Sequence, residues 1–103
     1  MESRIRILAV ARDPDVLEGV ISLLEGNGFS ATGTSMDAIA IDLASSSDFD
    51  ALLISGGTPA AEEARLAAEV RRYQPDIVVV RAGSPPSILS LLRQEFKSNK
   101  TII

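Results

Sequence analysis

Two arginines and a serine stand where three apolar runs of the sequence end. Arg12 follows the first run, and Ser55 and Arg81 come directly after two later ones. If these runs form parallel strands, the three residues meet at the carboxyl edge of the sheet, where open α/β sheets bind their ligands. Guanidinium groups beside the turn Gly56-Gly57 would then favour an anion.

Each of these residues also has a simpler structural interpretation. Ser55 is favoured as a small polar residue ending a buried strand, because no base is available to activate its hydroxyl. Gly56-Gly57 is favoured as a tight turn, because it lacks the spacing of a nucleotide-binding loop. Asp13 is favoured as a helix N-cap over a metal ligand. A salt bridge from Arg12 or Arg81 to Asp13 is the alternative to an anion site.

Composition excludes several kinds of chemistry. The chain of 103 residues has no cysteine and no histidine, which rules out disulfides, the usual zinc sites and catalysis by a histidine base. The formal net charge of −4 makes direct binding to nucleic acid an improbable main role. No apolar run reaches the ~18 residues of a membrane span. The absence of cysteine fits a cytoplasmic protein, and we expect no metal or other cofactor.

The elements that would position these residues alternate along the chain. Five strands are predicted, at Ile5–Val10, Phe29–Thr32, Ala51–Ile54, Ile77–Val80 and Thr101–Ile103. Four helices are predicted between them, opening at Asp13-Pro14, Ser35, Thr58-Pro59 and Ser84-Pro85-Pro86. The second helix is expected to bury Met36, Ile39, Ala40 and Leu43, and the fourth Ile88, Leu89, Leu92 and Phe96.

Strands that alternate with amphipathic helices predict a three-layer α/β fold with a parallel sheet covered on both faces. Residues 1–103 are expected to form one domain. The centre of the core is predicted to hold Leu8, Val10, Leu53, Val78 and Val80.

The ordered set of motifs resembles the receiver domains of bacterial response regulators. The resemblance begins at Ile7–Leu17, continues through Gly28-Phe29 and Asp48-Phe49-Asp50, and includes Pro59. It implies a flavodoxin-like fold with strand order 2-1-3-4-5. Because the chain ends at Ile103, the last helix of a receiver is expected to be missing.

The same resemblance places the family's functional positions on residues that cannot do the family's chemistry. The acidic pair that holds Mg²⁺ falls on Ala11 and Arg12, with Asp13 the only carboxylate nearby. The phosphoryl-accepting aspartate falls on Ser55, and the hydroxyl residue ending the fourth strand falls on Arg81. Mg²⁺ requires carboxylate and water oxygens, so this pocket is expected to be degenerate.

Two hypotheses for function remain open. The first is a non-enzymatic pseudo-receiver that signals through contacts with a protein partner or output domain in a two-component or transcription-regulatory pathway. The second is a small domain that binds an anion or nucleotide near Arg12, Gly56, Gly57 and Arg81.

Without a last helix, we also expect Ile7, Ala9, Leu52 and Val79 to form an exposed face. A second copy of the chain would then cover this face in a homodimer.

Overall fold

The computed structural model describes residues 5–55, 57–82 and 88–94. Its strands are β1 (Arg6–Ala11), β2 (Ser30–Thr34), β3 (Ala51–Ser55) and β4 (Val78–Ala82). Its helices are α1 (Pro14–Gly26), α2 (Asp37–Ser46) and α3 (Ala60–Tyr73), and residues 88–94 form a further helix, α4. The predicted fifth strand lies outside the described residues.

The strands form one parallel sheet in the order β2-β1-β3-β4, which confirms the predicted order for the strands described. Each strand extends one or two residues further toward its carboxyl end than predicted, so that Ser55 and Arg81 lie inside β3 and β4. Every crossover between these strands is a helix, as parallel pairing requires.

Helices cover both faces of the sheet and make three layers. On one face, α2 and α3 pack through Ala40, Leu66 and Val70 over a cluster that includes Leu8 and Leu52. On the other face α1 and α4 pack against the sheet. The buried members of that cluster are Ile7, Ala9, Val20, Leu24, Ala51, Leu53, Val80, Ile88 and Leu92.

The exposed face that motivated the homodimer does not occur in the described residues. Ile7 and Ala9 are fully buried, and they lie on the α1 and α4 side of the sheet. Leu52 is equally buried but lies on the opposite side, with half-buried Val79 packed against the same cluster. The prediction placed all four on one face, which the strand register rules out because Ile7 pairs with Ala51 and Ala9 with Leu53.

The predicted core is otherwise confirmed except at Val78. Leu8, Val10, Leu53 and Val80 are buried, whereas Val78, the first residue of β4, is only half-buried. Ile88 and Leu92 of α4 are fully buried as expected, and Phe96 lies outside the described residues. None of the helices described is long and apolar enough to cross a membrane.

The predicted start of α2 was wrong, and its predicted buried face was correct only in part, because Ala40 is buried and Leu43 packs against the same core cluster. Met36, rather than Ser35, is its N-cap, and the carbonyl oxygen of Ser35 instead accepts a hydrogen bond from Arg12. Met36 and Ile39 are 56% and 45% exposed, because α2 packs through the small side chains of Ala40 and Ala44. A helix that is apolar on several sides leaves its buried face undetermined by sequence.

Candidate functional site

The carboxyl edge of the sheet brings most of the predicted site residues together. Ala11 at the end of β1 is the register partner of Ser55 at the end of β3. Ser55 is in turn the register partner of Ala82 in β4, so Arg81 lies one residue before the level of Ala11 and Ser55. Arg12 and Asp13 follow Ala11 directly, in the connection from β1 to α1. Gly56 lies outside the described residues.

Arg12 forms the centre of an ion-pair network at this edge. Its Nη1 and Nη2 donate to Oδ1 and Oδ2 of Asp37 at 2.8 and 3.0 Å, which is a bidentate pair. Nη2 also donates to Oε1 of Glu62 at 2.7 Å, and Nη1 donates to the carbonyl oxygen of Ser35 at 3.2 Å. Arg12 therefore links the end of β1 to the first turns of α2 and α3.

The two carboxylates raise the pKa of Arg12 above its ordinary value. The hydrogen bonds to Asp37 are the larger cause, and the hydrogen bond to Glu62 is the second. Asp37 lies in the first turn of α2 and Glu62 in the first turn of α3, where the helix dipole also favours negative charge. The guanidinium therefore stays protonated at every physiological pH, in a cluster of one guanidinium and two carboxylates.

Arg81 is also paired. Its Nε lies 3.6 Å from Oε1 of Glu63, and its side chain is half exposed. At this length in solvent, the ion pair contributes little free energy. Among the described residues of this edge, the two guanidinium groups are paired with three carboxylates, those of Asp37, Glu62 and Glu63. This charge balance does not favour the anion site that Arg12, Gly57 and Arg81 were considered for.

Asp13 caps α1 and pairs with neither arginine. Its Oδ1 accepts the backbone N–H groups of Asp15 at 2.9 Å and Val16 at 3.4 Å. The prediction of a helix cap is confirmed, and the predicted salt bridge to Asp13 is wrong in its partner. A carboxylate already committed to the N-terminus of its own helix gains less from turning toward Arg12.

Ser55 is buried and carries an unsatisfied hydroxyl. It is 4% exposed, and among the described residues its Oγ has no hydrogen-bond partner. The Oγ1 atom of Thr58, in the turn that follows, is buried and unpartnered in the same sense. Gly57 between them has a φ of +80°, a conformation that favours glycine and agrees with a tight turn. No base lies within hydrogen-bond reach of the serine in the part of the chain described.

Sequence reasoning missed Asp37, Glu62 and Glu63 as partners of the two arginines. A signal for all three was present: in a parallel sheet, each helix that follows a strand begins at the carboxyl edge. Acidic residues in those first turns therefore lie close to any residue that ends a neighbouring strand. The described residues hold no group of three or more Asp, Glu, His or Cys side chains placed to bind a metal ion.

No protein-family model matches this sequence, and no curated protein matches it significantly. Solved structures are similar in fold. A CheY-like response regulator receiver domain protein from Methanospirillum hungatei JF-1 superposes with a TM-score of 0.80 at 15% identity, over 95% of this chain and 98% of that one. A response regulator from Thermotoga maritima gives 0.67 at 16% identity, over 90% and 80%.

An adenylate cyclase structure from Rhodopirellula baltica is similar as well, with a TM-score of 0.69 at 18% identity, over 93% of this chain and 71% of that one. Similarity at such low sequence identity shows the fold alone, because one fold supports many functions. The sheet order, the helical layers and these superpositions agree with one another. This chain therefore has the flavodoxin-like fold of CheY-like receiver domains.

Proposed function

We propose that this chain is a receiver-like signalling module that is not phosphorylated and that acts through protein contacts. The observation that carries the proposal is the Arg12 network. Where the resemblance to receivers places an acidic residue for Mg²⁺, this chain has a guanidinium bound to Asp37 and Glu62. A fixed positive charge at this position repels a divalent cation and takes up two of the carboxylates nearest to it.

The residue at the acceptor position supports the same proposal. Ser55 is a buried hydroxyl with no base beside it in the described residues, and a serine does not replace an aspartate as acceptor from a phosphohistidine. With neither the metal nor the acceptor, the module has no phosphoryl chemistry to perform. It is proposed as a non-enzymatic pseudo-receiver that needs no cofactor.

The direct test is exposure of the protein to acetyl phosphate, and separately to beryllofluoride, each with Mg²⁺. We expect the ¹⁵N NMR spectrum and the intact mass to remain unchanged, while a conventional receiver treated in parallel gains one phosphoryl group. The matched variant is Ser55→Asp, which restores the carboxylate but leaves Arg12 in place. It should also remain unmodified. Stoichiometric phosphate on any residue of the native chain would refute the proposal.

The proposed partners are another protein or an output domain of a two-component or transcription-regulatory pathway in the cytoplasm. A homodimer stays a prediction, but the buried Ile7 and Ala9 remove its original reason. Light scattering coupled to size exclusion measures it directly. Binding of phosphate or nucleotides is expected to be absent, and a thermal stability that rises with millimolar phosphate would favour the anion-binding alternative.

A further inference from the structure

The outer edge of β2 carries backbone groups that no described strand pairs with. Within residues 5–55, 57–82 and 88–94, β2 lies at one end of the sheet and pairs with β1 alone. Ser30 donates its N–H to the carbonyl oxygen of Ile5 at 2.9 Å, so Ser30, Thr32 and Thr34 direct their backbone groups toward β1. The backbone groups of Ala31 and Gly33 therefore point away from the sheet.

This edge lacks the features that usually prevent a further strand from adding. Edge strands in natural proteins commonly carry charged side chains, proline or a bulge. The sequence of β2 is Ser-Ala-Thr-Gly-Thr, which has no charge and no proline, and its register with β1 is continuous over all five residues. The edge is therefore open to an extended chain.

The face of β2 that is covered by α1 has an acidic border. A Cβ atom on Gly33 would lie 2.5 Å from Cδ1 of Ile21, so Ile21 lies directly over the strand. Glu18 and Glu25 come three residues before and four residues after Ile21, which places them on the same flank of α1. Both are exposed, and α1 contains no basic residue.

The face of β2 that is covered by α2 has an apolar border instead. Asp37 and Ile41 of α2 line a groove with Leu66 of α3, so that flank of α2 faces α3. Ile39 lies about half a turn around α2 from Asp37 and Ile41, on the side away from α3 and toward β2 at the end of the sheet. Met36 is the N-cap and lies between the end of β2 and the start of α2. Met36 is held there by its N–H, which donates to Oγ1 of Thr34 at 3.1 Å. The two side chains are among the few large apolar groups exposed in the described residues.

We propose that the outer edge of β2 binds an extended segment of a partner protein as an additional strand. Such a segment alternates its side chains between the two faces. Apolar side chains would contact Met36 and Ile39, and Lys or Arg side chains would face Glu18 and Glu25. This inference rests on the proposed function as a protein-contact module and names the chemistry of the partner.

A second copy of this chain fits the edge less well. Two copies joined edge to edge in a closed dimer are related by a two-fold axis perpendicular to the sheet. That symmetry places α1 beside α1 of the partner, so Glu18 and Glu25 would meet their own equivalents. Repulsion between these carboxylates would oppose dimer formation, whereas the Lys or Arg side chains of a basic segment would neutralise them.

The test uses two synthetic peptides of about seven residues, one alternating valine with lysine and one alternating valine with glutamate. With the lysine peptide, the amide resonances of Ala31 and Gly33 are expected to shift and to gain protection from hydrogen exchange. The affinity should fall as salt is raised, because the charges are exposed. The glutamate peptide should leave these amides unchanged.

Two variants separate the backbone contact from the charge contact. Ala31→Pro removes one outward N–H, which an edge strand tolerates, and should weaken binding by about five- to tenfold through loss of one hydrogen bond. Glu18→Lys with Glu25→Lys should abolish the preference for the lysine peptide. Asp76→Lys, an exposed change outside β2 and its two flanking helices, is the matched control and should leave binding unchanged.

Several results would overturn the inference. These are equal affinity for the two peptides, binding of neither, amides of Ala31 and Gly33 that are already protected in the free protein, or a dimer that Ala31→Pro dissociates. The phosphorylation test is read on a different surface, at Ser55 and Arg12. If neither peptide binds, the proposal that the chain is not phosphorylated is unaffected. If the chain is phosphorylated, the peptide result at β2 is equally unaffected.

Discussion

The Arg12 network makes a quantitative prediction about stability. The substitution Arg12→Met removes the guanidinium and keeps much of the aliphatic stem, so it isolates the ion pairs from packing. It leaves Asp37 without its bidentate partner and Glu62 without its cation. We expect the first turns of α2 and α3 to lose their common link to β1.

The expected loss follows from geometry and exposure. The side chains of Arg12 and Asp37 are 29% and 31% exposed, and hydrogen bonds to charged groups in such partly buried positions contribute about 1.5 kcal/mol or more. Glu62 is 49% exposed, so solvent screening reduces its pair to about 0.3–0.5 kcal/mol. The free energy of unfolding should therefore fall by about 2 kcal/mol, which for a domain of this size lowers Tm by about 8–16 °C.

Urea unfolding followed by circular dichroism measures this change. The matched control is Arg72→Met, because Arg72 is 73% exposed and its pair with Glu69 is 3.4 Å long. That control should cost no more than about 0.5 kcal/mol. A double-mutant cycle with Asp37→Asn should return a coupling energy of about 1 kcal/mol or more between Arg12 and Asp37. A loss for Arg12→Met equal to that of the control would refute the reasoning.

Three further predictions concern single side chains. The hydrogen bonds to Asp37 and Glu62 raise the pKa of Arg12 further above its already high ordinary value, so its stabilisation should persist from pH 7 to about pH 10.5. Arg12→Lys should lose stability above about pH 10 as the lysine deprotonates, and unfolding at three pH values compares the two. Ser55→Ala should leave the free energy of unfolding unchanged or raise it slightly, since its Oγ has no hydrogen-bond partner in the described part of the chain. Thr34→Ala should lower it by about 1 kcal/mol, because the Oγ1 of Thr34 accepts a hydrogen bond. Gln74→Ala should lower the free energy of unfolding by about 2 kcal/mol in the same assay, because the Gln74 side chain makes three hydrogen bonds at 2.6–2.8 Å to backbone groups. Asn27→Ala removes a single exposed hydrogen bond and should lower it by no more than about 0.5 kcal/mol. A Gln74 variant as stable as the Asn27 variant would show that water replaces those bonds.

The sequence by itself determined the elements and their order. β1, β3 and β4 were visible as apolar runs, and Asp13-Pro14 and Gly28 marked the two ends of α1 through local chemistry that needs no tertiary contact. Alternation of strands and helices then restricts the topology to a few arrangements, since parallel crossovers are right-handed. The observed order of the four described strands is one of these.

Tertiary structure decided which side chains meet. Asp13 is next to Arg12 in sequence, yet the network uses Asp37 and Glu62, which lie 25 and 50 residues away, because the sheet brings the starts of α2 and α3 to the end of β1. The buried face of α2 was equally undetermined, because apolar residues occur on several of its sides and packing selected Ala40 and Ala44. The periodicity of apolar residues indicates which side chains can be buried. Which of them are buried, and which carboxylate pairs with Arg12, depends on distances between elements that are set only when the helices pack on the sheet.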